Sequence, residues 1–187
     1  MLNLHVILCS TRPTRAGAPI ARWFFEQAKK YGTFNVELVD LLEVNLPVFD
    51  EPNHPRLRQY QHEHTKRWSA IVERADAFAF VTPEYDYGMP PSLLNALVYL
   101  SQEWSRKAAC IVSYGGVSAG TRAAQSLKQT LTALNVMPVP QSVNIPFFNT
   151  MISDGSFKPG DQQEKGVKTT LDELTVWATA LKPTRAV

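Results

Sequence analysis

The chain has 187 residues, enough to bury one full core, and 44% of them are hydrophobic, an ordinary share for a globular protein. Its formal net charge of +2 is too small to argue for a nucleic-acid partner. No apolar run approaches the ~20 residues of a membrane span, and the apolar part of the N-terminus is too short for a signal peptide, so one cytoplasmic domain over 1–187 with no membrane contact is expected.

Leu4 to Cys9 reads as a first strand, running into Ser10-Thr11-Arg12-Pro13-Thr14-Arg15-Ala16-Gly17. A helix follows from about Gly17 to Tyr31, with Pro19 in its permissive first turn. Val36 to Asp40 is a second strand, and Leu46 to Pro55 an irregular, proline-rich connection. Leu57, Tyr60, His64, Trp68, Ile71 and Ala75 mark one face of the next helix. Phe78 to Thr82 is a third strand. Pro83-Glu84-Tyr85-Asp86-Tyr87-Gly88-Met89-Pro90-Pro91 leads from it into Leu93 to Leu100, where apolar residues recur at helical spacing.

Ala108 to Ser113 is a fourth strand, followed by a helix with Ala123, Leu127, Leu131 and Leu134 inward. Val136 to Val143 is a fifth, and Pro138 and Pro140 place it at a sheet edge. The turn-rich Asp154 to Gly160 precedes a last helix, with Asp161 and Glu164 as cap and partner and Val167, Leu171, Leu174, Ala178 and Leu181 as its buried stripe. Alternation of strand and helix argues an α/β fold: a three-layer sandwich around a five-stranded parallel sheet. In the order 2-1-3-4-5 the ligand crevice lies at the carboxyl ends of strands one and three.

Both of those ends carry informative loops. In the first, Ser10 and Thr11 offer hydroxyls, Arg12 and Arg15 offer charge, and Gly17 opens a helix whose N–H groups favour a phosphate. The G-x-G-x-x-G dinucleotide fingerprint is missing, so a ligand with one terminal phosphate fits better. In the second, prolines bracket two tyrosines and a glycine, a rigid loop suited to holding a flat ring. After the fourth strand, Gly115 and Gly116 let the backbone approach a ring edge, and Ser118, Ala119 and Gly120 open the next helix.

The other chemistry-bearing residues read more plainly. Cys9 and Cys110 are expected to be buried and unpaired. His62 and His64 stand two apart on a helix, do not share a face, and suggest no metal site. His5 packs within the first strand. Trp23, Trp68, Trp104 and Trp177 fall on helices as core or contact residues, and Met89 contacts a ligand or fills a gap. Cys9 and Arg15 also have the Cys-x5-Arg spacing of tyrosine phosphatases. Against that stand Pro13, which lacks an N–H, Ala16 in place of a hydroxyl residue, and the lack of any Asp-Pro.

The segment Pro83-Glu84-Tyr85-Asp86, then Pro90, then Leu93-Leu94-Asn95-Ala96 resembles the pattern P-E-Y-N-x-x-x-P-x-x-L-K-N-A of the NADPH-dependent FMN reductase family, flavodoxin-like quinone, azo-dye and chromate reductases. Ser10 to Gly17 and Ser113 to Gly120 resemble that family in the same order, so the likeness covers most of the chain. It implies a flavodoxin-like fold binding FMN noncovalently. The residues it places around FMN are Ser10, Arg12, Arg15, Gly17, Pro83, Glu84, Tyr85, Asp86, Tyr87, Ser113, Tyr114, Gly115, Gly116 and Ser118.

It further implies that NADPH or NADH delivers hydride to flavin N5, and that a small flat acceptor such as a quinone then takes the same place in a ping-pong cycle. No catalytic side chain and no metal are implied. Backbone N–H groups of Tyr85 and Asp86 would lie near flavin O4 and N5. A homodimer or homotetramer is implied, with the helix after Pro91, Tyr99 and Trp104 as a candidate surface. Asp86 departs from the family's asparagine, and Thr14 and Cys9 from glycines. The rival flavoprotein reading is an electron-transfer module without nicotinamide activity.

Overall fold

Side-chain size alternates along the central strand, and this sets the two faces of the sheet. Ala77, Ala79 and Val81 point to one side and Phe78 and Phe80 to the other, all of them buried. A computed structural model describes residues 1–185. Its main elements are β1 (Leu2–Leu8), α1 (Gly17–Tyr31), β2 (Phe34–Asp40), α2 (Leu41–Val44), α3 (Glu63–Glu73), β3 (Ala77–Pro83), α4 (Pro91–Val98), β4 (Ala108–Tyr114), α5 (Thr121–Ala133), β5 (Met137–Ile145), β6 (Ile152–Ser153), β7 (Ser156–Phe157) and α6 (Asp161–Leu181).

The main sheet is parallel throughout, in the order β2-β1-β3-β4-β5, as expected. The small-residue face packs against α1 and α6 through Ile20, Phe24, Leu171 and Leu174. The large-residue face packs against α3, α4 and α5, with Trp68 and Trp104 wedged beside Phe78. Helices on both faces explain why β3 and β4 are buried along their whole length.

β5 lies at the edge where its prolines placed it. The Met137 N–H donates to the Lys107 carbonyl at 2.8 Å, so strand alternation turns the N-side of Pro138 outward. Cys9 and Cys110 are buried and free. Among the described residues no helix is long and apolar enough to cross a membrane.

Several boundaries differ from expectation. Leu57 and Tyr60 precede α3: Leu57 closes a 3-10 turn from Pro55, and Arg58 then takes a left-handed conformation that interrupts any helix. The connection around Pro47 is pinned rather than loose. The Asn95 side chain donates to the Pro47 carbonyl at 2.7 Å and accepts from the Phe49 N–H at 3.0 Å. The Tyr99 hydroxyl donates to Asp50 at 2.8 Å. Gly160, not Asp161, caps α6, its N–H donating to the Gln163 side chain at 3.1 Å. The turn-rich stretch before α6 contains the small β6–β7 hairpin. Trp104 lies in a turn after α4, not on a helix.

His5 is buried edge-on to Phe78, and burial lowers its pKa to about 4 despite Glu37 beside it. The unfolded chain therefore binds a proton near pH 6.5 that the folded chain refuses until about pH 4. Stability is retained above pH 6.5 and falls as pH drops through that window, by about 3 kcal/mol from this residue. Urea denaturation across the window should show a shallower loss for His5→Leu than for the wild type. Equal losses would mean that His5 is protonated without penalty.

Candidate functional site

Leu8, Val81 and Val112 are level in the sheet register; β1 ends there, and β3 and β4 run on to Pro83 and Tyr114, so the chain leaves three adjacent strands at the same end of the sheet. The loops that follow are 9–16, 84–90 and 115–120, and they enclose a cleft of about 390 Å³. Arg12, Arg15, Glu84, Tyr85, Tyr114 and Phe148 contribute to its lining. A larger hollow of about 640 Å³ lies between α2 and α4, but its walls are mainly Leu41, Leu42, Leu46, Val48, Leu94 and Val98 and hold no charged group. The polar chemistry lies in the smaller cleft.

The first loop supplies a positive end. The helix α1 starts at Gly17 with Ala16 as its N-cap, no side chain caps it, and no acidic residue sits in its first turn. Its leading N–H groups and the helix dipole therefore face the cleft unopposed. Arg12 lies 6.0 Å from the Tyr85 ring centroid. Two other residues expected to meet an anion are already engaged. The buried Ser10 hydroxyl lies 2.7 Å from the Tyr85 hydroxyl, joining first loop to second. Arg15 pairs with Asp40, whose other oxygen accepts the Leu42 N–H and caps α2. The Arg15 Nε is buried with no partner among the described residues.

Gly17 has no room for a side chain, because a Cβ would meet the Tyr114 hydroxyl and come within 2.9 Å of Leu8. Tyr114 is buried beneath it, and burial above all keeps its phenol protonated, with Tyr85 and Cys9 acting in the same direction.

The second loop is a two-residue turn. Tyr85 N–H donates to Gly88 O at 3.0 Å, and Gly88 N–H to Tyr85 O at 2.9 Å. Asp86 and Tyr87 between them both have positive φ, the type I′ form. Closing the turn consumes the Tyr85 N–H, which the resemblance had assigned to a ligand. Asp86 and Tyr87 carry the N–H groups without a partner among the described residues. Pro83 ends β3, and the Glu84 N–H donates to the Tyr114 carbonyl at 3.1 Å. Burial alone would raise the Glu84 pKa. Hydrogen bonds from Arg122 and Ser118 outweigh it and hold the carboxyl below its usual value.

The third loop is tighter than expected. Ala119 N–H donates to Gly116 O at 3.1 Å, and α5 begins only at Thr121, so residues 118–120 form a turn before the helix. The Ser113 hydroxyl is buried and donates to the Ala119 carbonyl at 2.8 Å, so it braces this turn from behind. Gly115 N–H is spent on Ile145 O at 3.2 Å, which leaves Gly116, Val117 and Ser118 with N–H groups that have no partner among the described residues. Phe148 stands edge-on to Tyr114 at 5.3 Å and closes one side of the cleft. Neither Phe148 nor Arg122 carried any signal in the sequence. Each reaches the cleft from an element outside the three motifs.

The Cys9 thiol is fully buried, donates to Ile7 O, and has its pKa raised by burial, the opposite of an activated nucleophile. The His62 and His64 rings do meet, stacked at 5.1 Å, because His62 is the extended N-cap of α3 rather than part of it. Both turn toward Asp50, and no group of metal-binding residues occurs among the described residues. Tyr99 and Trp104 are wholly buried and cannot form a subunit surface, whereas Leu94 and Val98 of α4 are exposed.

Comparison with known proteins agrees with this architecture. The family model described as NADPH-dependent FMN reductase matches residues 2–150. An NAD(P)H-dependent FMN reductase of Schizosaccharomyces pombe is 40% identical over 148 residues, covering 77% of this chain and 74% of the relative. A quinone reductase of Pseudomonas putida is 28% identical, covering 75% and 76%. Among solved structures, the flavoenzyme NAD(P)H:(acceptor) oxidoreductase FerB of Paracoccus denitrificans superposes with a TM-score of 0.76. That match covers 97% of this chain and 99% of FerB at 20% identity, a likeness of fold.

Gly17→Ala should displace Tyr114 and cost roughly 1–3 kcal/mol, the usual range for overpacking a filled site. Thermal denaturation checks the loss. An unchanged melting temperature would show that Tyr114 moves aside freely.

Proposed function

The chain belongs to the NADPH-dependent FMN reductase family, and from that premise we propose that its cleft at the carboxyl ends of β1, β3 and β4 holds FMN. The observation that carries this placement is the set of unpartnered donors on all three loops. They are the leading N–H groups of α1 with Arg12, the N–H groups of Asp86 and Tyr87, and those of Gly116, Val117 and Ser118. Most of these loop residues are exposed, so water meets their donors when no ligand is bound. Donors grouped around one rim fit an acceptor-rich ligand that replaces that water.

The phosphate suits the first loop, where Ser10, Arg12, Arg15 and Gly17 lie. Arg15 would share its charge between Asp40 and the ligand. The ring suits the space between residues 83–87 and 113–118, where Pro83, Glu84, Tyr85, Tyr114, Gly115 and Gly116 stand as walls, Asp86, Tyr87 and Ser118 lie on the flanking turns, and Ser113 is a brace. When bound, the flavin supplies hydride acceptance from NADPH or NADH and hydride return to a quinone-like acceptor on one face, in ping-pong order.

The chain's own part is orientation and charge. N–H groups aimed at developing negative charge stabilise it without reorganising. Neutral Tyr114 adds bulk beneath the phosphate loop without adding an anion. No side chain need act as nucleophile, and burial of Cys9 leaves the phosphatase reading without its reactive group.

Two further readings go with this one. The two core clusters lie on opposite faces of the same sheet, which supports a single domain, and its free, buried cysteines fit a reducing cytoplasm. The apolar hollow by Leu42, Val48, Leu94 and Val98, all exposed, supports a homodimer in which a second copy covers α4.

Purified protein mixed with FMN and freed of excess should retain absorption near ~450 nm, and anaerobic NADPH should bleach it, as expected of a bound flavin that accepts hydride. Retention without bleaching by NADPH or NADH would favour the electron-transfer module. No retention would sink the flavin site. Val98→Lys should convert a dimer to monomer in sedimentation velocity at micromolar protein. A wild type that sediments as a monomer would refute the α4 contact.

A further inference from the structure

The turn in the second loop is built from awkward residues. Asp86 has φ 48° and Tyr87 φ 70°. Aspartate visits the left-handed region at little penalty, but an aromatic side chain does not, and turns of this type favour glycine at the second central position. Tyr87 is also 67% exposed, so core packing does not hold it there.

Arg122, near the start of α5, grips the turn from two directions. Its guanidinium lies 3.9 Å from the Tyr87 ring centroid. Its Nε donates to one Glu84 oxygen at 2.7 Å, and its backbone N–H donates to the other at 3.1 Å. The Glu84 side chain, two residues before Asp86, is only 8% exposed. The carboxylate therefore caps α5 and anchors the cation, and the cation in turn lies against the strained ring.

We propose that Arg122 is a positioning residue. By stacking on Tyr87 and pairing with Glu84 it holds the turn in its positive-φ form, and so fixes the direction of the free Asp86 and Tyr87 N–H groups. The effect on flavin rests on the FMN placement above, whereas the effect on the turn does not. A Tyr87→Gly chain has no strain to offset there, and the stack has nothing to hold.

The test is a double-mutant cycle of Arg122→Ala and Tyr87→Gly. It has two readouts: hydrogen exchange at the Tyr85 and Gly88 amides in flavin-free protein, and the Kd for FMN. Arg122→Ala should speed exchange at both amides by about tenfold and weaken FMN by about tenfold, and both effects should shrink to about twofold or less in the Tyr87→Gly background. Arg122→Lys keeps a charge for Glu84 but loses the planar stack, and should fall between. If Arg122→Ala does not fold, Arg122→Lys carries the comparison.

Unchanged exchange, or an Arg122 effect equally large in the Tyr87→Gly background, would overturn the proposal. So would weaker FMN binding without faster exchange, which would make Arg122 a direct contact. Exchange that follows the cycle in a protein that binds no FMN would uphold the positioning role and refute the flavin site.

Discussion

Parallel strands that end on the same side of the sheet are what the rest of this structure depends on. A β-strand's last residue leaves its neighbours' ladder with an N–H and a carbonyl to satisfy. Three adjacent strands ending at Leu8, Pro83 and Tyr114 concentrate that demand along one rim. The loops answer part of it among themselves. Cys9 N–H reaches Val81 O, Glu84 N–H reaches Tyr114 O, and Gly115 N–H reaches Ile145 O. Each of these bonds carries a loop across to the next strand. The cleft is therefore an extension of the sheet, framed by backbone before any side chain is counted.

Charge in the cleft is restrained rather than maximal. Arg15 and Arg122 each carry a carboxylate partner from another element, Asp40 and Glu84. Arg12 and the start of α1 have no acidic neighbour in the first turn. A site with three free guanidinium groups would hold any polyanion. One with paired cations discriminates by shape as well as by charge, because a ligand gains most where its acceptors meet the fixed N–H groups. The near-neutral balance of the whole chain follows the same pattern.

The sheet order, the two faces of the core and the three cleft loops are all legible in the sequence. Each rests on a local pattern: apolar runs at Phe78–Thr82 and Ala108–Ser113, helical stripes at Ala123–Leu134 and Val167–Leu181, and glycines and prolines at the loops. Hydrogen-bond assignments within the loops are not legible. Nothing local tells that Tyr85 spends its N–H on Gly88, or that Ser10 meets Tyr85 across a distance of 75 residues. Arg122 and Phe148 give no signal because their partners come from other elements. The His62–His64 stack is hidden because an extended N-cap residue does not follow helical angles. The family resemblance offers Tyr99 and Trp104 as surface candidates, yet packing with Trp68 and the pinned segment around Pro47 buries them.

The outer side of β5 bears on how copies of this chain can meet. An edge strand with free N–H groups invites another strand and open-ended growth. With Met137 hydrogen-bonded inward, Pro138 turns a nitrogen without hydrogen to the open side, and Pro140 stands two residues further along the same strand. The two prolines remove two donors from the first half of β5, and the register shift between Pro138 and Ser142 breaks its regular edge, so lateral extension of the sheet is disfavoured there. Association is left to side-chain surfaces, which can close on themselves and stop at a defined number of subunits.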